Sequence, residues 1–259
     1  MMQTGSFKIT NIVHLTDVHL CRNKNDLVYG RNPYYSFREI LNLIHKKIPE
    51  LSLIVITGDI SEDVTLSSYE IADSLLNEFK NTCYWITGNH DDFSILPSKI
   101  KNKYIKNEWE LGAWKFIALD TTIKGEDYGL LSNLELQKLN SFLSTNKEHP
   151  VIICMHHPPI DVDSVFIDSI GLINKKCFWN ELANYSNVKA VLSGHVHQQI
   201  TANVEGILVS CAPSTFVQWL PKSKEFVFDE DRGNGFNLIT LMGNEGMTIE
   251  TIRNNHKSR

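Results

Sequence analysis

Short apolar runs and amphipathic stretches alternate along the chain, and each pattern predicts its own element. Ile9–Leu15, Leu53–Thr57 and Cys83–Thr87 are brief runs rich in β-branched and aromatic residues, which is the length and composition of buried strands. Between them, Phe37, Ile40, Leu41, Ile44 and Ile48 fall on one face at helical spacing, as do Ala72, Leu75, Leu76 and Phe79. Such faces suit helices packed on a sheet. The second half repeats the pattern. Trp114–Leu119, Val151–Met155 and Val188–Leu192 read as strands, and Ser132 with Glu135 forms a capping box opening a helix that carries Leu136, Leu139 and Leu143. From Ile200 to Arg253 the chain reads as several strands, with turns at Asn203–Gly206 and Gly243–Gly246. The sum is an α/β chain with two sheets and helices outside them.

The polar residues concentrate where strands stop. Five apolar runs end in segments rich in Asp, Asn or His: Asp17 to His19, Gly58-Asp59, Gly88-Asn89-His90, His156-His157, and Gly194 to His197. Ligands of α/β sheets collect beyond the carboxyl ends of strands, so segments far apart in sequence are expected to converge. Carboxylate, imidazole and amide-oxygen donors suit borderline divalent metals. Seven such ligands exceed one tetrahedral site and match two metals sharing a carboxylate. A pair of metals about 3.5–4 Å apart polarises a phosphoryl oxygen and generates hydroxide near neutral pH. Glycines 58, 88 and 194 are expected to let the backbone turn sharply and approach a bound anion.

Other polar and aromatic residues receive plainer readings. His14, His45, His149 and His256 belong to none of the five segments and read as structural or surface residues. Asp127, Asp161, Asp163 and the run Asp229 to Asp231 read as solvated loop charges. Trp109, Trp114, Trp179 and Tyr185 read as packing, and packing is also favoured over base stacking for Phe216 and Trp219.

Composition narrows the classes. With 42% hydrophobic and 21% charged residues, the chain is that of a globular protein. A net charge of -5 argues against a surface that neutralises a nucleic-acid backbone, and so against a nuclease. No apolar run approaches the roughly 18 residues of a membrane span, and Met1 to Ser6 show no basic flank leading into an apolar stretch. Five cysteines, an odd number without a C-x-x-C pair, read as free thiols of a reducing compartment, which makes a cytoplasmic location the expectation. No G-x-x-x-x-G-K-[ST] segment supports a P-loop.

D-x-H at Asp17–His19, G-D at Gly58-Asp59, G-N-H-D at Gly88–Asp91, the histidine after Met155, and G-H-x-H at Gly194–His197 together resemble the calcineurin-like metallophosphoesterase family, in family order. The resemblance implies a four-layer αββα sandwich of two mixed β-sheets flanked by helices, formed as a single domain over residues 1–259. It implies that Asp17, His19 and His197 hold one metal, that Asn89, His156 and His195 hold the other, and that Asp59 bridges them. His90 would sit over the leaving oxygen as a general acid or positive stabiliser. Of the adjacent His156 and His157, the family pattern selects His156. Asp91, Glu62 and Asp63 are candidates for orienting His90.

The tail narrows the resemblance. Pro213 to Trp219 followed by Pro221, then Asp231-Arg232-Gly233, is similar to the bacterial class III 3′,5′-cyclic-AMP phosphodiesterases. This implies in-line attack on a cyclic phosphodiester by a hydroxide held between the metals, giving the 5′-nucleotide, with phosphate contacts from His19, Asp59, Asn89, His90 and His197. Family resemblance favours iron and manganese, with zinc as the alternative. The expected partner is a small cyclic nucleotide, with neither nucleic acid nor membrane, and a homodimer is the commonest assembly by base rate. Three alternatives stay open: another phosphoester (2′,3′-cyclic nucleotide, phosphomonoester or nucleotide-lipid), a nuclease, against which the charge counts, and a non-catalytic scaffold that keeps the metal site to bind a protein.

Overall fold

A computed structural model describes residues 9–244 and 246–254. The first half runs β1 (Ile9–Leu15), α1 (Pro33–Lys47), β2 (Leu51–Ile56), α2 (Leu66–Leu76), β3 (Thr82–Trp85) and α3 (Ser98–Tyr104), then β4 (Glu108–Leu111) and β5 (Trp114–Leu119). The second half runs α4 (Asn133–Thr145), β6 (Val151–Met155), α5 (Val165–Ser169), α6 (Lys175–Leu182), β7 (Val188–Ser193), β8 (Ile200–Val204), β9 (Ile207–Cys211), β10 (Gly235–Met242) and β11 (Gly246–Arg253).

The strands form a five-stranded sheet in the order β11-β10-β1-β2-β3 and a six-stranded sheet in the order β4-β5-β6-β7-β9-β8. Both are mixed: β1, β2 and β3 are parallel, as are β5, β6, β7 and β9, while the pairs β1–β10, β10–β11, β4–β5 and β8–β9 are antiparallel. The central strands read as continuous apolar runs because both faces are covered. In β2, Leu53 and Val55 face the other sheet and pack with Phe116, Ile152 and Leu192. Ile54 and Ile56 point the opposite way, onto the core beneath Phe37, Ile40 and Ile44 of α1 and Leu75 and Leu76 of α2. On the far side, Ile153 of β6 and Val191 of β7 pack with Leu139 and Leu143 of α4 and Phe178 of α6. Helices, sheet, sheet and helices make the four-layer αββα sandwich.

Local signals act largely as expected, with one difference. Asn32 caps α1, accepting from the Tyr35 N–H, with Pro33 in the first turn. At α4, Ser132 accepts from the Glu135 N–H, but the Glu135 carboxylate turns outward to take the Asp120 N–H at 2.9 Å. The reciprocal half of the capping box is thus spent on holding the end of β5. The Asn203–Gly206 turn joins β8 to β9 as expected; the Gly243–Gly246 turn includes residue 245, which lies outside the described residues, as do His256 and Met1 to Ser6. Among the described residues, no helix is long and apolar enough to cross a membrane. Cys21, Cys83, Cys154 and Cys211 are buried free thiols, whereas Cys177 is exposed.

Candidate metal centre

The loops after β1, β2, β3, β6 and β7 meet at one edge of the sandwich. The first two are zipped together: the N–H groups of Asp17, Val18 and His19 donate to the carbonyls of Gly58, Asp59 and Asp59 at 3.1, 2.7 and 2.9 Å. The backbone there takes an uncommon shape. Asp17, His19, Asp59, His195 and His197 all have φ between +47° and +69°, and they supply five of the ten described non-glycine residues with positive φ. Asp and His tolerate this region better than most residues, and such strain persists where surrounding structure enforces it at functional sites. Gly58, at φ +100°, leaves no room for a Cβ, which would run into His156. A Cβ on Gly88 would run into Asp59. These glycines therefore admit neighbouring side chains of the site, and Gly58 makes the sharp turn the sequence suggested.

Two groups of side chains form. In the first, His197 Nε2 lies 3.4 Å from an Asp17 oxygen and 3.1 Å from His19 Nε2. In the second, the Asn89 side-chain oxygen lies 3.0 Å from His156 Nε2 and 3.1 Å from His195 Nδ1. Asp59 Oδ2 stands between them, 3.7 Å from His19 Nε2 and 3.3 Å from His156 Nε2. All of these except Asn89, which is half-buried, are buried.

The tautomers show what the cluster is built to hold. His156 Nδ1 donates to the Thr57 carbonyl at 2.7 Å, His197 Nδ1 to the Val217 carbonyl at 2.9 Å, and His19 Nδ1 to the Glu62 carboxylate at 2.7 Å. Each contact fixes the proton on Nδ1 and turns an Nε2 lone pair inward, the arrangement of metal-binding histidines. His19 and His197 thus aim two lone pairs at each other across 3.1 Å, a repulsive contact unless a cation or proton lies between. His195 Nε2 is buried with no hydrogen-bond partner among the described residues. The donor set fits two divalent cations.

Electrostatics agree. Burial alone would raise the Asp59 carboxyl, but His156, His90 and His19 hold it well below the usual carboxylate range. Burial pulls His156 down, yet Asp59 and Asp17 outweigh it and push the ring up to about 9.

His157 stands apart from its neighbour. Its Nδ1 lies 2.8 Å from the Thr121 hydroxyl and its Nε2 3.0 Å from the Asp127 carbonyl, so both nitrogens are engaged. Burial and the adjacent His156 lower it to about 3, and its ring packs at 4.3 Å beside His195.

His90 sits at the mouth with its side chain 34% exposed, edge-on to His19. Burial lowers its pKa, but Asp59 and Glu62 outweigh this and raise it above the ordinary value. The three candidates for orienting it separate. Glu62 bonds His19 and lies 3.5 Å from His90 Nδ1. Asp63 is turned to Arg22 and Thr65. Asp91 accepts from the N–H groups of Ile60, Ser61 and Gly88 and from the Tyr69 hydroxyl, so it clamps the loops carrying Asp59 and Asn89 rather than touching His90.

Two loop readings change. Asp229 is buried and accepts from Arg232 and the Asp231 N–H, so within the acidic run it anchors a folded corner while Glu230 and Asp231 stay exposed, as expected. Asp127 is exposed but lines the cavity above the cluster, a space of about 210 Å³. Trp219 is 7% exposed and stacks on His197 at 5.0 Å, which makes it a packing residue of the site. Tyr29 and Phe226 line the same cavity. Sequence reasoning missed both, although a bulky residue before Gly30 in a loop offered a signal.

Comparison with known proteins agrees with this geometry. The chain is 32% identical to a 3′,5′-cyclic-nucleotide phosphodiesterase of Nostoc, over 94% of this chain and 92% of that one. It is 30% identical to a 3′,5′-cyclic adenosine monophosphate phosphodiesterase of Vibrio vulnificus, over 93% and 89%. In fold it resembles a dimetal phosphatase of Danio rerio, with a TM-score of 0.68 at 14% identity over 96% and 97% of the two chains. The profile of the calcineurin-like phosphoesterases matches residues 10–199, a span containing all seven candidate ligands, and the chain belongs to that family.

Proposed function

We propose that this chain is a metal-dependent phosphodiesterase that hydrolyses 3′,5′-cyclic AMP to 5′-AMP. The observation that carries the reading is the Asp59 carboxylate standing between two groups of inward-facing donors. Asp17, His19 and His197 would hold one cation, Asn89, His156 and His195 the other, and Asp59 would be shared. Iron and manganese suit this donor set, with zinc as the alternative. Bound there, two divalent cations draw charge from the phosphoryl oxygens and make water acidic enough to attack near neutral pH. The substrate class rests on the relatives from Nostoc and Vibrio, which are named for cyclic nucleotides and match over nearly the whole chain.

The chain's own residues divide the remaining work. His90 stands at the open side, where a leaving 3′-oxygen would emerge, and gives it a proton. Asp59 and Glu62 raise the pKa of that ring above its ordinary value, which favours the protonated form. Asp59 also takes the His90 N–H at 2.9 Å, fixing the loop to the metal-holding carboxylate. His19, Asn89 and His197 face the same cavity and would contact the phosphate. The floor of the cavity, formed by buried Asp59, His195 and His197, strengthens the charge interactions made there.

The test is hydrolysis by protein loaded with manganese, with 3′,5′-cyclic AMP, 2′,3′-cyclic AMP and a phosphomonoester compared and the products identified. Formation of 5′-AMP from the 3′,5′ ester at the highest kcat/KM is expected. Turnover confined to the other esters would keep the centre and reassign the substrate, and no turnover would favour the scaffold.

A further inference from the structure

Packing explains most of the aromatic residues near the centre, but not all. Trp219 stacks on His197, and Phe228 lies 4.9 Å from Trp219. Outside this column sit two rings that remain largely open: Tyr29 at 53% exposure and Phe226 at 42%. Both line the cavity that also reaches Asn89 and His90. Phe226 lies 4.0 Å from Trp219, and Tyr29 lies 5.9 Å from both Trp219 and Phe226. Two separate loops thereby place aromatic rings on one wall.

The backbone at Tyr29 is unusual. Val28 and Arg31 exchange hydrogen bonds at 2.9 and 3.0 Å around Tyr29 and Gly30, whose φ angles are +52° and +74°. Asn or Gly is the ordinary occupant of that first turn position. A tyrosine there is strained, and its ring is exposed, so burial of the ring does not account for it. Such strain in a non-glycine residue points to function. Of the ten described non-glycine residues with positive φ, Tyr29 joins the five candidate ligands in lining or forming the same site. Burial, Glu62 and Asp127 all raise its hydroxyl pKa.

We propose that Tyr29 and Phe226 form the wall that takes the nucleobase of the substrate, so that selectivity for nucleotide esters over baseless ones resides in these two rings. The inference rests on the cyclic-nucleotide reading of the same centre. An ester held between the histidines and aspartates carries its base on the adjoining ribose, within the same cavity. Every base presents a flat π-face, and stacking on aromatic side chains is the usual way proteins hold one without reading its edge.

The test compares 3′,5′-cyclic AMP with methyl riboside 3′,5′-cyclic phosphate, which keeps the ester and replaces the base by methoxy. The manganese-loaded wild type is expected to prefer the nucleotide by about tenfold or more in kcat/KM. Tyr29→Ala and Phe226→Ala should each lower kcat/KM for the nucleotide by about fivefold to a hundredfold, mainly through KM. The methyl riboside ester should change by less than about twofold on the same scale of effects. Tyr29→Phe, which keeps the ring, should retain the preference. Should Tyr29→Ala fail to fold, Tyr29→Gly, which relaxes the left-handed backbone, serves in its place. Equal losses on both esters, a preference that survives in the double variant, or a wild type indifferent to the base would each overturn this inference and leave the phosphodiesterase reading standing. Turnover of neither ester would overturn that reading, and this inference with it.

Discussion

The two ends of the sandwich differ in a way that volume does not predict. At the amino ends of β7 and β9, the close of α6 and the β8–β9 turn enclose a cavity of about 460 Å³, lined by residues such as Tyr185, Lys189 and Glu205. At the carboxyl ends the cavity is about 210 Å³, yet it is walled by His19, Asp59, Asn89, His195 and His197. Among the described residues, none of the groups of side chains able to hold a metal lies in the larger space, while the smaller one collects side chains with fixed tautomers, strained backbone and mutually shifted pKa values. A site is made by groups that cannot be satisfied by one another, as with the opposed nitrogens of His19 and His197.

Substitutions sharpen this contrast. The largest effect is expected at the shared carboxylate: Asp59→Ala should lower kcat by about a thousandfold or more, read by steady-state turnover alongside metal content. His90→Ala should lower kcat by about a hundredfold to ten-thousandfold on cyclic AMP with metal content unchanged. That loss should shrink with a nitrophenyl diester, whose leaving group needs no proton. Loss of metal from this variant would show His90 to be a ligand.

Stability should divide the same way. Asp91→Ala strands the N–H groups of Ile60, Ser61 and Gly88 together with the Tyr69 hydroxyl, and should cost about 2–4 kcal/mol in urea unfolding. Acid sensitivity should also reside at the metal end. His14, beneath Thr57, is lowered by burial from 6.5 to about 3, with Asp17 opposing. The fold binds it neutral, so its contribution is full above about pH 6.5 and is lost as pH falls toward about 3. His14→Gln should flatten the stability profile across that window; an unchanged profile would remove His14 as a source of acid sensitivity. The smallest effect belongs to the opposite end. Glu205 occupies φ +52° in the β8–β9 turn, so Glu205→Asn should stabilise by about 0.5 kcal/mol and leave turnover untouched.

Much of this was legible in the sequence because strand ends carry both signals at once. β1, β5 and β6 have the boundaries their apolar runs predict, and the polar segments after β1, β2, β3, β6 and β7 do meet. Elements that bury few residues were not legible. In α3 only Ile100 and Tyr104 are buried among lysines, and β4 is an edge strand without a buried residue. Preference for His156 over His157 came from the family pattern. The physical reason, that Thr121 and Asp127 occupy both nitrogens of His157, depends on partners 36 and 30 residues away that no local pattern reveals. The same holds for Asp91 as a clamp and for the aromatic wall, which joins Tyr29 to Phe226 across two loops.

The most direct test of a two-metal centre is metal content per chain, measured by mass spectrometry on protein reconstituted with manganese and freed of excess, for the wild type and for Asn89→Ala. Two metals per wild-type chain, falling toward one when Asn89 is removed, is the expected result. One metal or none in the wild type, or a count that Asn89→Ala leaves at two, would contradict it.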